Sequence, residues 1–147
     1  MPYSPEAFVP IAADYPTYSR AREHFKDMLD ANATGRTVTV ARDGAVSAML
    51  PVDPLRRYFF RTVPPRVSVV REDGVVVALM AGRPFVSEGA DVDEALDDLA
   101  LSLREYAADW EDRLQHAPNH HDAWALVQLV KLSTDDELRD WLERGGE

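Results

Sequence analysis

The residues best suited to chemistry are His116, His120, His121 and Asp122, three imidazoles and a carboxylate in one short run. Converging imidazoles bind transition metals, and a metal beside a carboxylate can activate water. On a helix, however, adjacent residues such as His120 and His121 point about 100° apart. The run therefore reads first as a polar helix–helix junction, and no metal or other cofactor is assigned to it. A small metal-dependent enzyme using His116, His120 and His121 stays open as an alternative. A second group of candidates is acidic: Asp93, Glu94, Asp97, Asp98, Glu105, Asp109 and Asp112 fall on one polar stripe. Paired carboxylates do acid–base work when they are desolvated and converge, usually from separate elements. On one exposed stripe they are solvated, or they attract a basic partner. Cysteine is absent, which excludes disulfides, thiolate nucleophiles and cysteine zinc sites. There is no Gly-rich phosphate loop, no H-E-x-x-H and no nucleophile elbow. The expectation is a binding protein with no catalytic residues.

The elements that would position these groups follow from periodicity and turn signals. Residues 1–16 contain Pro2, Pro5, Pro10 and Pro16 and read as an extended arm. Ser19 is a candidate N-cap for an amphipathic helix over 20–33, with Ala21, Phe25, Met28 and Leu29 on its apolar side. Residues 37–42 alternate as a strand, Asp43-Gly44 marks a tight hairpin, and 45–52 return. Asp53 then caps a short helix carrying Leu55, Tyr58 and Phe59, with Pro54 at its first position. After the connector Val63-Pro64-Pro65 a second hairpin turns on Asp73-Gly74, with strands over 66–71 and 75–81. Gly82-Arg83-Pro84 breaks the run, and 85–89 add a short extended piece. The clearest element is a helix capped by Asp91, with Val92, Leu96, Leu99, Leu103, Tyr106, Trp110 and Leu114 on one face out to about His116. Pro118 ends it. A further helix is expected over 122–132, and a last one after Ser133-Thr134-Asp135-Asp136 with Leu138, Trp141 and Leu142 inward.

The chain is 147 residues long with a net charge of −10, and the charge is uneven. Residues 1–67 carry nine Lys/Arg against seven acids, whereas 68–147 carry seven against nineteen. Such asymmetry points to different partners for the two halves. The opening sixteen residues have neither the basic start nor the apolar run of a signal peptide, and the longest apolar stretch, 75–81, is too short to span a bilayer. A cytoplasmic protein with no membrane association is expected.

The stretch Tyr18–Tyr58 resembles the N-terminal module of the Phd/YefM antitoxin family. Tyr18-Ser19-Arg20-Ala21-Arg22-Glu23-His24-Phe25 is similar to that family's S-x-A-R helix start, and TVTVARDGAVSAM over 37–49 to its strand, arginine, turn and returning strand. The chain departs from the pattern in the length of residues 1–16 and in Asp53-Pro54 at the lead into the closing helix. The resemblance implies a bacterial antitoxin of a type II toxin–antitoxin system: a homodimer that binds operator DNA, represses its own operon and neutralises a toxin with its C-terminal part. By resemblance, Arg22 and Arg42 would be the leading DNA contacts, with Arg20 and Lys26 adding phosphate contacts. Guanidinium chemistry suits both phosphates and guanine edges. Residues 66–115, and Glu88–Leu96 above all, are also similar to the HicB antitoxin pattern of a strand pair, a glycine and an E-A-L helix.

The expected architecture is thus α+β: an arm over 1–16, a helix–hairpin–helix dimerisation and DNA-binding module over 17–62, and an acidic half over 66–147 with a second hairpin and C-terminal helices. A basic, ribonuclease-like toxin would suit that acidic half. Trp110, Trp124 and Trp141, on apolar stripes, and Asp97, Asp98 and Asp109 are the candidate partner contacts, with a core role as the other reading of the tryptophans. An orphan DNA-binding regulator or scaffold homodimer without a toxin is the further alternative.

Overall fold

The structure, a computed structural model, describes residues 11–146 and divides into two compact units, one ending at Val52 and one beginning at Asp53. It is a mixed α+β fold with two antiparallel sheets, in line with the expected class.

The first unit contains α1 (Tyr18–Glu23), α2 (Phe25–Ala33), β1 (Val38–Arg42) and β2 (Ala45–Met49). The helix expected over 20–33 is in fact two. Its start is capped by Thr17 rather than Ser19, with the Thr17 hydroxyl accepting from Arg20 N at 3.3 Å. The break falls at His24, whose N–H bonds Ala21 O, a three-residue step that interrupts the α ladder. The His24 ring stacks on Tyr15 at 5.9 Å. Tyr15 in turn forms a one-residue parallel bridge with Val40, donating to Thr39 O and accepting from Ala41 N. The Asp14 carboxylate accepts from both the backbone N and the hydroxyl of Thr39. Residues 14–15 of the expected arm are therefore fastened along β1; residues 1–10 lie outside the described residues. The hairpin register pairs Arg42 with Ala45 across a two-residue turn, and Asp43 and Gly44 both have positive φ. That is the twist-matched geometry that Asp-Gly favours. Among the described residues of this unit, Ala21, Met28 and Val38 form the buried core.

The second unit runs α3 (Val52–Thr62), β3 (Val67–Glu72), β4 (Val75–Met80), β5 (Val86–Gly89), α4 (Val92–Asp109), α5 (Trp124–Leu132) and α6 (Asp135–Arg144), with β4 central in the sheet β3-β4-β5. The second Asp-Gly turn repeats the first, joining Glu72 to Val75. Val76, Ala78 and Met80 alternate inward from β4 onto Ala95, Leu96, Leu99 and Leu103 of α4. Glycine is required at 89 by proximity: a Cβ there would collide with the backbone of Glu94 and Ala95 in the first turn of α4. Asp91 caps α4 as expected, accepting from Glu94 N at 2.8 Å. The apolar stripe continues past Asp109 through a π-helical turn, Trp110–Leu114, before the chain reaches Pro118. A single 3-10 turn, His121–Ala123, takes the place of the expected first turn of α5. Thr134 and Glu137 form a complete capping box on α6.

One expected boundary shifts. The helix anticipated as the close of the first module places Phe59 in the core of the second unit, beside Val63, and its Arg56 pairs with Glu137 of α6. Apolar burial drives this, since the described residues of the first unit form no comparable cluster for Phe59 to join. The charge division moves with it. The unit ending at Val52 has five basic residues against six acidic, and the unit beginning at Asp53 has eleven against twenty.

Candidate nucleic-acid interface

Arg22 and Arg42 come from different elements, the end of α1 and the end of β1, and the fold brings them to one side chain. The Arg22 guanidinium lies 5.9 Å from the centre of the Tyr18 ring and the Arg42 guanidinium 5.2 Å from it. Both arginines are exposed, and Tyr18 is half exposed. Tyr18 and Arg22 are one helical turn apart, so they share a face of α1. The hairpin register delivers Arg42 from the other side, just before the Asp43-Gly44 turn. The result is an aromatic platform holding two cations, with Arg42 in a shallow cleft walled by Pro16, Thr17, Ala41 and Gly44 and Arg22 outside it. Stacking of this kind restricts the guanidinium rotamers and leaves their N–H edges free to donate. Arg42 Nε also approaches Asp43 at 3.6 Å, an exposed pair of little energetic weight.

The other two candidate cations do not join this group. Arg20 is exposed on α1, and Lys26 reaches Asp30 one turn along α2 at 3.0 Å. Tyr18 was absent from the set chosen by sequence; its signal was the spacing to Arg22. Arg22 instead borders a second, largely apolar cleft on the same unit, with Tyr18, Ala21, Phe25, Met28 and Val40. Phe25 and Leu29, expected on the buried stripe, are instead about half exposed.

In the second unit the three tryptophans separate. Trp141 is fully buried and its indole N–H donates to Val63 O at 2.7 Å. Trp110 is 7% exposed and donates to His120 O at 2.8 Å. Both are core residues with their polar atoms satisfied internally, which removes them as partner contacts. Trp124 is half exposed and packs edge-on against Phe59, so it alone still offers an indole face. The acids separate as well. Asp97 is held by Arg139, which also takes Asp93 and Glu143. Asp109 faces Arg113 at 3.6 Å. Asp98 is exposed, with no ion pair among the described residues.

The histidine run forms no ligand set: no group of three His, Cys, Asp or Glu able to hold a metal exists among the described residues. His120 Nδ1 instead meets the Tyr106 hydroxyl at 2.8 Å, and burial raises the Tyr106 phenol above its ordinary value. An apolar surface that sequence reading overlooked lies on the outer face of the sheet. There Val70 and Val86 are exposed, in register with Val77 and Leu79. The signal was available in the alternation of β4, whose second face is also apolar. No helix among the described residues is long and apolar enough to cross a membrane.

No family model matches the chain, and no curated protein matches it. Among solved structures, it is similar to one from Syntrophomonas wolfei subsp. wolfei described as an antitoxin part of a proposed toxin/antitoxin system. The TM-score is 0.74 over 87% of this chain and 95% of that one, at 21% identity. At that identity the likeness establishes the fold: this chain has a mixed α+β architecture similar to that of an antitoxin.

Proposed function

We propose that the protein is a cytoplasmic antitoxin of a type II toxin–antitoxin system, with a Phd/YefM-like first unit that binds operator DNA as a homodimer. The observation that carries this reading is the convergence of Arg22 and Arg42 on Tyr18, two exposed guanidinia on a shared platform. Such a group can take a phosphate or the acceptor edge of a guanine. Homodimerisation is supported by the size of the first unit's core. The three buried side chains among its described residues are few for a unit of this length, and a second copy laid on the exposed Phe25 and Leu29 would extend that core. The second unit is the toxin-binding part, with Asp98, Asp109 and Trp124 as its remaining candidate contacts and a basic toxin as the complementary partner. Neutralisation is by stoichiometric occlusion, so the protein has no turnover of its own.

The test is a titration of the full chain against DNA from upstream of its own reading frame, beside Arg22→Ala/Arg42→Ala. Operator preference that disappears in the double variant supports the reading. Equal binding by both proteins, or no preference over unrelated DNA with or without the neighbouring gene product, would leave a scaffold homodimer in its place.

A further inference from the structure

In the second unit, with eleven basic residues among twenty acids, each guanidinium has carboxylates to spare. Most take one. Arg56 lies 2.7 Å from Glu137, Arg104 2.9 Å from Asp135, and Arg144 grips Asp140 at 2.6 and 2.7 Å. Arg57 and Arg61, like Arg66 and Arg71, take none: both are exposed and neither has an ion pair or hydrogen bond among the described residues. They stand one turn apart on α3 and, with Arg56, Phe60, Asp140 and Arg144, line an open cleft of about 650 Å³.

The lining says what kind of anion fits. Asp140 is engaged by Arg144, so it offers little repulsion to a ligand reaching Arg57 and Arg61. Its polar lining is arginine and one engaged carboxylate, with no amide or hydroxyl side chain, so what it chiefly offers a ligand is positive charge. Guanidinia take phosphate oxygens in pairs. The net negative charge of the unit disfavours any anion at long range, and this decides between polyanions. A nucleic acid carries condensed counterions whose release favours local cation contacts, and an acidic peptide of lower charge density gains less. We propose that this arginine cleft is a sequence-independent contact for the phosphate backbone of DNA, carried by the second unit. It deepens the DNA-binding reading given above without depending on operator recognition.

The experiment is binding of non-operator duplex DNA to the full chain between 50 and 200 mM salt, for the wild type and Arg57→Gln/Arg61→Gln. Each lost phosphate contact lowers the slope of log affinity against log salt by about 0.9, so the double variant should lose about 1.8. Across the fourfold salt range the wild type should then lose about 12-fold more affinity than the variant. Neither side chain has an ion pair or hydrogen bond among the described residues, and an unchanged thermal melt verifies folding. Identical slopes, or no binding of non-operator DNA by the wild type, would overturn the proposal. So would polyglutamate of matched charge binding as tightly and losing as much in the variant, which would mark an acidic-protein site instead. Operator preference is read separately, from Arg22→Ala/Arg42→Ala. If it is absent while the slope change appears, the operator reading fails and the cleft stands; if it is present and the slopes are identical, the cleft fails alone.

Discussion

Trp141 and Trp124 have the same side chain in opposite circumstances, and replacing each with Phe separates the two. At position 141 the indole N–H donates to Val63 O in the core. Phe leaves that carbonyl without this donor, at about 1–3 kcal/mol. The lost ring volume adds about 1 kcal/mol, because one wall of the site is backbone that cannot move in. A Cβ on Gly145 would already collide with the Trp141 ring, and the Gly145 N–H is tied to Trp141 O at 2.7 Å. Trp141→Phe should therefore cost about 2–4 kcal/mol. Trp124 is half exposed and its indole N–H has no protein partner among the described residues. Only part of its edge contact with Phe59 is lost, so Trp124→Phe should cost less than about 1 kcal/mol. Urea unfolding of both variants, with m-values compared to exclude a changed denatured state, measures the difference. Equal costs would refute the division of the tryptophans into core and surface, and with it the removal of Trp141 from the partner contacts.

Gly89→Ala should destabilise the second unit by more than about 1 kcal/mol, since the added methyl meets helix backbone rather than a movable side chain; chemical denaturation reads it. Ser87→Ala should go the other way. Its hydroxyl is buried with no partner among the described residues, so removing it should be neutral or stabilise by up to about 1 kcal/mol in the same assay. Thr134→Ala should cost about 1 kcal/mol by breaking the capping box of α6, visible as a lowered thermal midpoint. The Asp14 carboxyl is held below its usual range by the Thr39 backbone N–H and, next, by the Thr39 hydroxyl. Its folded pKa lies below the unfolded one, so its contribution is complete above the ordinary carboxylate range and disappears as pH falls through the folded value. The ratio of Thr39 amide exchange in the wild type to that in Asp14→Asn, followed from neutral pH to below the ordinary carboxylate range, should rise as the carboxylate protonates.

The elements most legible in the sequence were those with a local signature. Both Asp-Gly hairpins, the Asp91-capped helix and the Thr134 cap rest on contacts within a few residues of each other, and pattern alone locates them. What escaped depended on residues far apart in the chain. Phe59 lies on a helix that sequence order attaches to the hairpin before it, yet its burial depends on the cluster that includes Trp141. His24 interrupts a periodicity that ran through it smoothly, and it stacks on a tyrosine in a segment that read as a loose arm. The candidate site divided in the same way. Arg22 and Arg42 were identifiable singly, but their meeting at Tyr18 needed the hairpin to fold back beside α1. Arg57 and Arg61 were invisible as a pair because a positive run reads as a solvated face until the neighbouring cations are seen to be occupied.

Among the described residues, the disparity between three buried core side chains in one unit and eighteen in the other has a consequence for the lifetime of the chain. Cleavage by a protease tracks the fraction of time a segment spends open, and that fraction grows exponentially as local stability falls. The first unit will be cut long before the second opens. Degradation of an unpartnered molecule would then begin at α1–β2 and leave a resistant fragment from about Asp53 onward, so anything that seals the first unit would set the turnover of the whole protein.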